Sequence, residues 1–139
     1  MVIADTGFFL ALANRKDHHH ALVQERLADL DEPLITTWPV VAETCYLLIE
    51  RVGARSEQLF LRSFAAGGFD VFDLRREDAP RIADLMEKYA DLPMDLADAS
   101  LVILAEHLGH GRILSTDQRD FHAYRWKQRR PFENLLVDF

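Results

Sequence analysis

Short apolar runs alternate with longer stretches of helical period from one end of the chain to the other, and that alternation leaves few architectures open. Val2-Ile3-Ala4-Asp5 is an apolar run closed by an acid, and it reads as a buried strand with Asp5 as its last residue. Leu34-Ile35-Thr36 reads as a second strand, 69–73 alternate like a third, 112–115 form a fourth, and Leu135-Leu136-Val137 a last. Between them, apolar spacing and Pro and Gly punctuation predict helices over about 8–13, 18–30, 39–52, 56–66 and 78–89, and from Asp95 to Gly109 or Gly111. Strands alternating with helices define an α/β fold with a mainly parallel sheet, because parallel neighbours need a crossover and a helix supplies it. The chain has 139 residues and no repeat, low-complexity tract or long linker, so one domain over 1–139 is expected.

In open parallel sheets ligands bind beyond the carboxyl ends of the strands, so the acids at those ends raise the functional question. Asp95 precedes an apolar helical pattern and suits an N-cap. Asp98 falls near the third helical position, where the helix dipole favours a negative charge. Capping accounts for these two and leaves Asp117, which closes the fourth predicted strand as Asp5 closes the first. Glu43 lies in the first turns of the helix opened by Pro39, between Val40 and Leu47 at helical spacing. An acid inside an apolar stripe must pair, change protonation or bind a cation. An ion pair with an arginine is the plain structural alternative.

Each acid has an ordinary account of its own, whereas one shared cation site covers Asp5, Glu43, Asp98 and Asp117 together. Carboxylate oxygens without paired His or Cys suit Mg²⁺ or Mn²⁺ rather than zinc. Such ions serve phosphodiester hydrolysis by polarising the phosphoryl oxygen, helping to deprotonate water and stabilising the leaving oxygen. Thr6, Ser115 and Thr116 could hydrogen-bond water around an ion, although an ordinary turn role is the expectation for Ser115.

The net charge of −7 argues against binding nucleic acid by bulk electrostatics. Its distribution softens that. Between Arg112 and Arg130 six basic residues face two acids, a net +4, which leaves −11 on the rest. That polarity is compatible with a phosphate-binding edge beside an acidic centre, or with a solvated surface. The start of the chain carries no basic leader, and no apolar run approaches the roughly 18 residues of a membrane span, so a cytoplasmic protein is expected. Cys45 stands alone, which excludes an internal disulfide and fits a reducing compartment. The run His18-His19-His20 makes a poor chelate on a helix, where adjacent side chains diverge, and is expected to be an exposed helix start.

Four pieces of the chain carry a resemblance. They are V-I-A-D-T-G-F-F-L-A-L, W-P-V-V-A-E-T-C-Y-L-L, D-L-A-D-A-S-L-V-I-L-A-E and I-L-S-T-D-Q-R-D-F. In this order and spacing they resemble a PIN domain, specifically the VapC-like toxin branch of type II toxin–antitoxin systems. The resemblance implies an α/β/α sandwich and a Mg²⁺- or Mn²⁺-dependent endoribonuclease. It implies metal-ligating, catalytic acids at Asp5, Glu43, Asp98 and Asp117. Asp120 is a rival for the last but is expected to start a local turn. Asp95, without a fixed counterpart in the family, is expected to cap its helix and contact metal-bound water. The family further implies an RNA substrate, a homodimer and a cognate antitoxin lying over the acidic pocket. Arg112, Arg125 and Arg129 are candidate contacts to RNA or antitoxin. Phe8, Phe9 and Trp38 could stack on bases, with core packing the main expectation for each. Two other readings remain beside the toxin: a PIN-like nuclease in RNA processing, and a catalytically idle protein-binding module.

Overall fold

The sheet grows from both edges of β1 (Val2–Ala4), whose three residues are buried. The structure, a computed structural model, describes residues 1–137. After β1 come α1 (Thr6–Ala13), α2 (His20–Ala28) and β2 (Leu34–Thr37), which sets Ile35 beside Ile3. Next, α3 (Trp38–Arg51) and α4 (Ala54–Ala65) lead to β3 (Asp70–Phe72) on the outer side of β2. A 3-10 turn (Arg76–Asp78), α5 (Ala79–Lys88) and α6 (Leu96–Leu108) return the chain across β1. There β4 (Arg112–Leu114) places Leu114 beside Ala4. The last elements are α7 (Gln118–Ala123), a hairpin of β5 (Arg125–Trp126) and β6 (Arg130–Pro131), and the edge strand β7 (Glu133–Asn134). The five-stranded sheet runs β3-β2-β1-β4-β7 with every pairing parallel, and helices flank it. This is the expected α/β architecture.

Burial follows from composition. Strands covered on both faces read as continuous apolar runs, as Val2–Ala4 does. The helix α6 is apolar nearly all round, and Ala99, Leu101, Val102, Leu104 and Ala105 are almost wholly enclosed, the mark of a helix inside the molecule. It ends at Gly109, whose φ of 80° is the left-handed conformation that glycine adopts without a Cβ clash. Pro39 lies in the first turn of α3, where its missing N–H costs nothing.

Several boundaries differ from expectation. Asp5 is not the last residue of β1 but the N-cap of α1, which therefore starts at Thr6. The helix α2 begins at His20, not His18. Asp17 accepts the His19 N–H at 2.8 Å and holds that segment as a turn. Similarly, Asp117 lies beyond the end of β4 and caps α7, a six-residue helix too short for its period to be read. The β5–β6 hairpin was also unforeseen. Its turn uses Lys127 and Gln128 at positive φ (45° and 70°) where a glycine or Asn-Gly signal is usual. The last strand is Glu133–Asn134 and not 135–137. Leu136 does reach the core, but Asn134 Oδ1 accepts the Leu136 N–H at 3.1 Å and turns the chain out of the ladder.

Candidate active site

Asp5 sits just past β1, on the side of the molecule where the parallel strands end. Its Oδ1 accepts the Phe8 N–H at 2.9 Å, capping α1. Its Oδ2 accepts a short hydrogen bond from Ser115 Oγ, so both oxygens are held. Burial pushes the Asp5 pKa up to about 6. The Ser115 hydroxyl and the Phe8 N–H oppose that rise, and the charges of Asp117 and Glu43 add to it. Ser115 is thus not an ordinary turn residue: it is fully buried and orients a site carboxylate. Its own backbone is clamped from the edge strand. Asn134 Oδ1 accepts the Ser115 N–H at 3.1 Å, and Asn134 Nδ2 donates to the Ser115 carbonyl at 2.8 Å.

The other acids approach from three further elements. Asp95 caps α6 and accepts the Asp98 N–H at 2.8 Å. Asp98, one turn into that helix, has its pKa pushed up to about 7 by burial and then by the Asp95 charge, against the pull of the Tyr124 hydroxyl. Glu43 is half-buried on α3, and burial raises its pKa too. The Thr6 hydroxyl opposes that shift and the Asp95 charge reinforces it. Asp117 accepts the Asp120 N–H at 3.1 Å, and its pKa is raised chiefly by burial, with the Asp120 charge adding to the rise.

These residues share one cleft of about 380 Å³, lined by Asp5, Glu43, Asp95, Asp98, Asp117 and Asp120, with Leu10, Leu47, Leu92 and Leu101 in its walls. The four acids singled out from the sequence meet there, Asp95 lies beside them, and Asp120 is a sixth. Asp120 does not start a turn; it is buried inside α7 and faces this cleft. No arginine, lysine or histidine lines the cleft, so the ion pair considered for Glu43 is not formed there. Asp120 pairs at the rim with the exposed Arg119, Nε to Oδ1 at 3.2 Å, but four of the six carboxylates, Asp5, Glu43, Asp98 and Asp117, have pKa values raised chiefly through burial, and together they form a centre that attracts a positive ion. The donor set fits Mg²⁺ or Mn²⁺, being all oxygen. Thr6 Oγ1 fits as well. It is buried in the cleft, and although it favours the charged form of Glu43, no group meets full hydrogen-bond geometry with it.

Tyr124 completes the centre and carried no signal in the sequence. Its hydroxyl donates to Asp98 Oδ2 at 3.1 Å. The ring is wholly buried, edge-on to Tyr89 and Phe121 with centroids 5.1 Å away in each case. Burial and the surrounding carboxylates push the Tyr124 pKa up, which keeps the hydroxyl a donor.

Of the expected basic contacts, Arg112 stands at the opposite end of β4 and pairs with Glu32 through Nη1 to Oε1 at 2.8 Å. Arg125 turns its Nη1 to the carbonyls of His122, Ala123 and Tyr124, closing the end of α7. Arg129 is exposed. Phe8 and Phe9 are core residues as expected, whereas Trp38 is 46% exposed and donates its indole N–H to Asp73 Oδ1 at 2.9 Å. A second hollow, about 400 Å³ and lined by Phe9, Leu12, Leu27, Leu59, Phe60 and Phe69 among others, has no titratable lining residue and is not a centre for this chemistry.

A family model described as the PIN domain matches residues 2–127. The chain belongs to the PIN domain family. A curated relative, Ribonuclease VapC26 of Mycobacterium tuberculosis, is 33% identical over 124 residues, covering 89% of this chain and 92% of the relative. The crystal structure of Mycobacterium tuberculosis VapC20, described as a Sarcin-Ricin loop cleaving toxin, superposes with a TM-score of 0.77 at 18% identity. That alignment covers 86% of this chain and 92% of the other, a likeness of fold. PIN domains are generally dependent on divalent metal, and in this one the acidic cleft is the place where such an ion fits. The matched segment spans all six carboxylates and Tyr124 and leaves out Asn134, the clamp on Ser115.

Proposed function

We infer that this chain is the ribonuclease toxin of a toxin–antitoxin pair, an endoribonuclease that hydrolyses RNA phosphodiester bonds with Mg²⁺ or Mn²⁺. The carrying observation is the cleft itself. In a PIN domain, six carboxylates from four places in the chain converge at the carboxyl ends of the parallel strands, and no lysine, arginine or histidine lines the cleft they form. Asp5, Glu43, Asp98 and Asp117 would hold the ion, with Asp95, which caps α6, beside them. A divalent ion held there would supply polarisation of the phosphoryl oxygen and a lowered pKa for the attacking water.

The chain's own residues do the rest. Ser115 and the Phe8 N–H hold Asp5 in one orientation. Tyr124 engages Asp98 Oδ2 and leaves the other carboxylate oxygen to the ion. The leucines of the walls lower the local dielectric, which strengthens attraction between the acids and a cation. With no lysine or arginine lining the cleft, the acids repel a bare phosphodiester, a repulsion that a bound cation would offset. The protein acts in the cytoplasm as a homodimer, as one domain, and is held inactive by a cognate antitoxin. No helix among the described residues is long and apolar enough to cross a membrane.

Purified chain, total RNA and a DNA control test this reading, with Mg²⁺ or Mn²⁺ and with EDTA, beside a folded Asp98→Ala variant. Discrete RNA fragments that require both the metal and Asp98 are expected. Cleavage that persists in EDTA or in the variant overturns the reading.

A further inference from the structure

We propose that Asp17, His18 and His19 form a second cation site, one for a borderline divalent ion of the Zn²⁺, Ni²⁺ or Co²⁺ class. It is separate from the acidic cleft and independent of the ribonuclease reading. One donor atom from each of the three residues lies within 4.8 Å of the other two. His19 Nδ1 is 3.6 Å from Asp17 Oδ1, and the His18 and His19 rings lie with centroids 3.9 Å apart, tilted by 41°. Zinc–nitrogen bonds of about 2.1 Å put neighbouring donors of a tetrahedral site about 3.4 Å apart, so small side-chain rotations close the set around one ion.

The objection to a histidine run as a chelate is that adjacent helical side chains diverge. It does not apply here, because the helix begins only at His20. The segment before it is a turn pinned on both sides. Asp17 N–H donates to the Asn14 carbonyl at 3.0 Å, and His20 N–H to the Asp17 carbonyl at 3.0 Å. His20 Nδ1 meets the Ala11 carbonyl at 2.7 Å, which ties α2 back to α1 and leaves His18 and His19 as the imidazole donors. Two imidazoles and one carboxylate prefer a borderline metal to Mg²⁺, the reverse of the acidic cleft. The turn follows the last residue of α1 and Asp5 precedes the first, so α1, about 12 Å long by its rise, separates the two sites. A bound ion there clamps the α1–α2 connection.

The test is calorimetric titration of the full chain with Zn²⁺ in millimolar Mg²⁺, which competes for the acidic cleft, beside His18→Ala/His19→Ala. The expected result is one Zn²⁺ per chain, with affinity at least tenfold weaker in the double variant. A Zn²⁺-dependent rise in Tm should also be lost in that variant. Circular dichroism and Mg²⁺-dependent RNA cleavage establish that the double variant is folded. In nuclear magnetic resonance, Co²⁺ should perturb the His18 and His19 ring signals ahead of those of His107, His110 and His122. Equal Zn²⁺ affinity in both proteins, or no Zn²⁺ binding in millimolar Mg²⁺, overturns the proposal.

Discussion

Tyr124 donates a hydrogen bond to Asp98 in a cleft lined by no lysine, arginine or histidine. A neutral donor can fix a carboxylate without neutralising it, which leaves the charge for a cation. Tyr124→Phe keeps the buried ring and deletes the donor. Loss of such an outer hydrogen bond typically costs 10–100-fold in metal affinity or activity, and about that is expected here. Mn²⁺ titration together with RNA cleavage measures both, and unchanged values would exclude a positioning role. Protonation gives a second prediction at this scale. Asp98 and Asp5 have folded-state pKa values of about 7 and about 6 against an ordinary 3.8, so the fold favours their neutral forms. Their contribution to stability is complete below about pH 4 and is lost as pH rises through 6 and 7. In EDTA at pH 8, Asp98→Asn should therefore be more stable than the native chain, by roughly 1–2 kcal/mol. The gap should close as pH falls to about 4. Thermal unfolding across that range checks it, and a less stable variant at pH 8 would reject the argument.

At the scale of elements, the first turn of α1 meets the loop that follows β4, and the centre depends on how closely they approach. A Cβ at Gly7 would lie 1.9 Å from Thr116 Oγ1 and 3.6 Å from Asp5 Oδ1. Gly7→Ala must displace Thr116, at a cost of about 1–3 kcal/mol in stability, and cleavage should fall at least tenfold. Adding Thr116→Ala removes the clash and should restore most of the stability, read as Tm. The same loop is tied to β7, so Asn134→Ala removes two hydrogen bonds from Ser115, worth about 1–3 kcal/mol. Cleavage should fall with it, although Asn134 lies outside the carboxylate cluster; activity retained in a destabilised variant would confine Asn134 to a structural part. The long helices were legible in the sequence because their apolar spacing repeats, and β1 because it is a continuous apolar run: α3, α6 and β1 lie within a residue or two of expectation. The elements after Asp117 were not. α7 has six residues, the hairpin strands two each, and the edge strand pairs through polar residues whose partners lie on β4.

For the whole molecule, winding order matters most. The chain runs outward from β1 to β3 on one side and returns through β4 on the other, so the connections after β1 and β4 diverge and leave a crevice between them. Asp5 and the Ser115–Asp117 loop border that crevice, while α3 and α6 bring Glu43 and Asp98 to it. A cation bound only by the folded chain stabilises it by mass action, so Mg²⁺ or Mn²⁺ at pH 8 should raise the Tm, and Asp98→Asn should reduce the rise. The sequence by itself determined the α/β class and singled out Asp5, Glu43, Asp98 and Asp117, because strand ends, helix starts and acids inside apolar stripes are local patterns. Only the tertiary structure decided that Asp120 joins them, that Ser115 and Tyr124 hold two of them, and that His18 and His19 stand in a turn. The Ser115–Asp5 bond spans 110 positions and Tyr124–Asp98 spans 26. Contacts of that range are set by how strands and helices pack, and no local period encodes them.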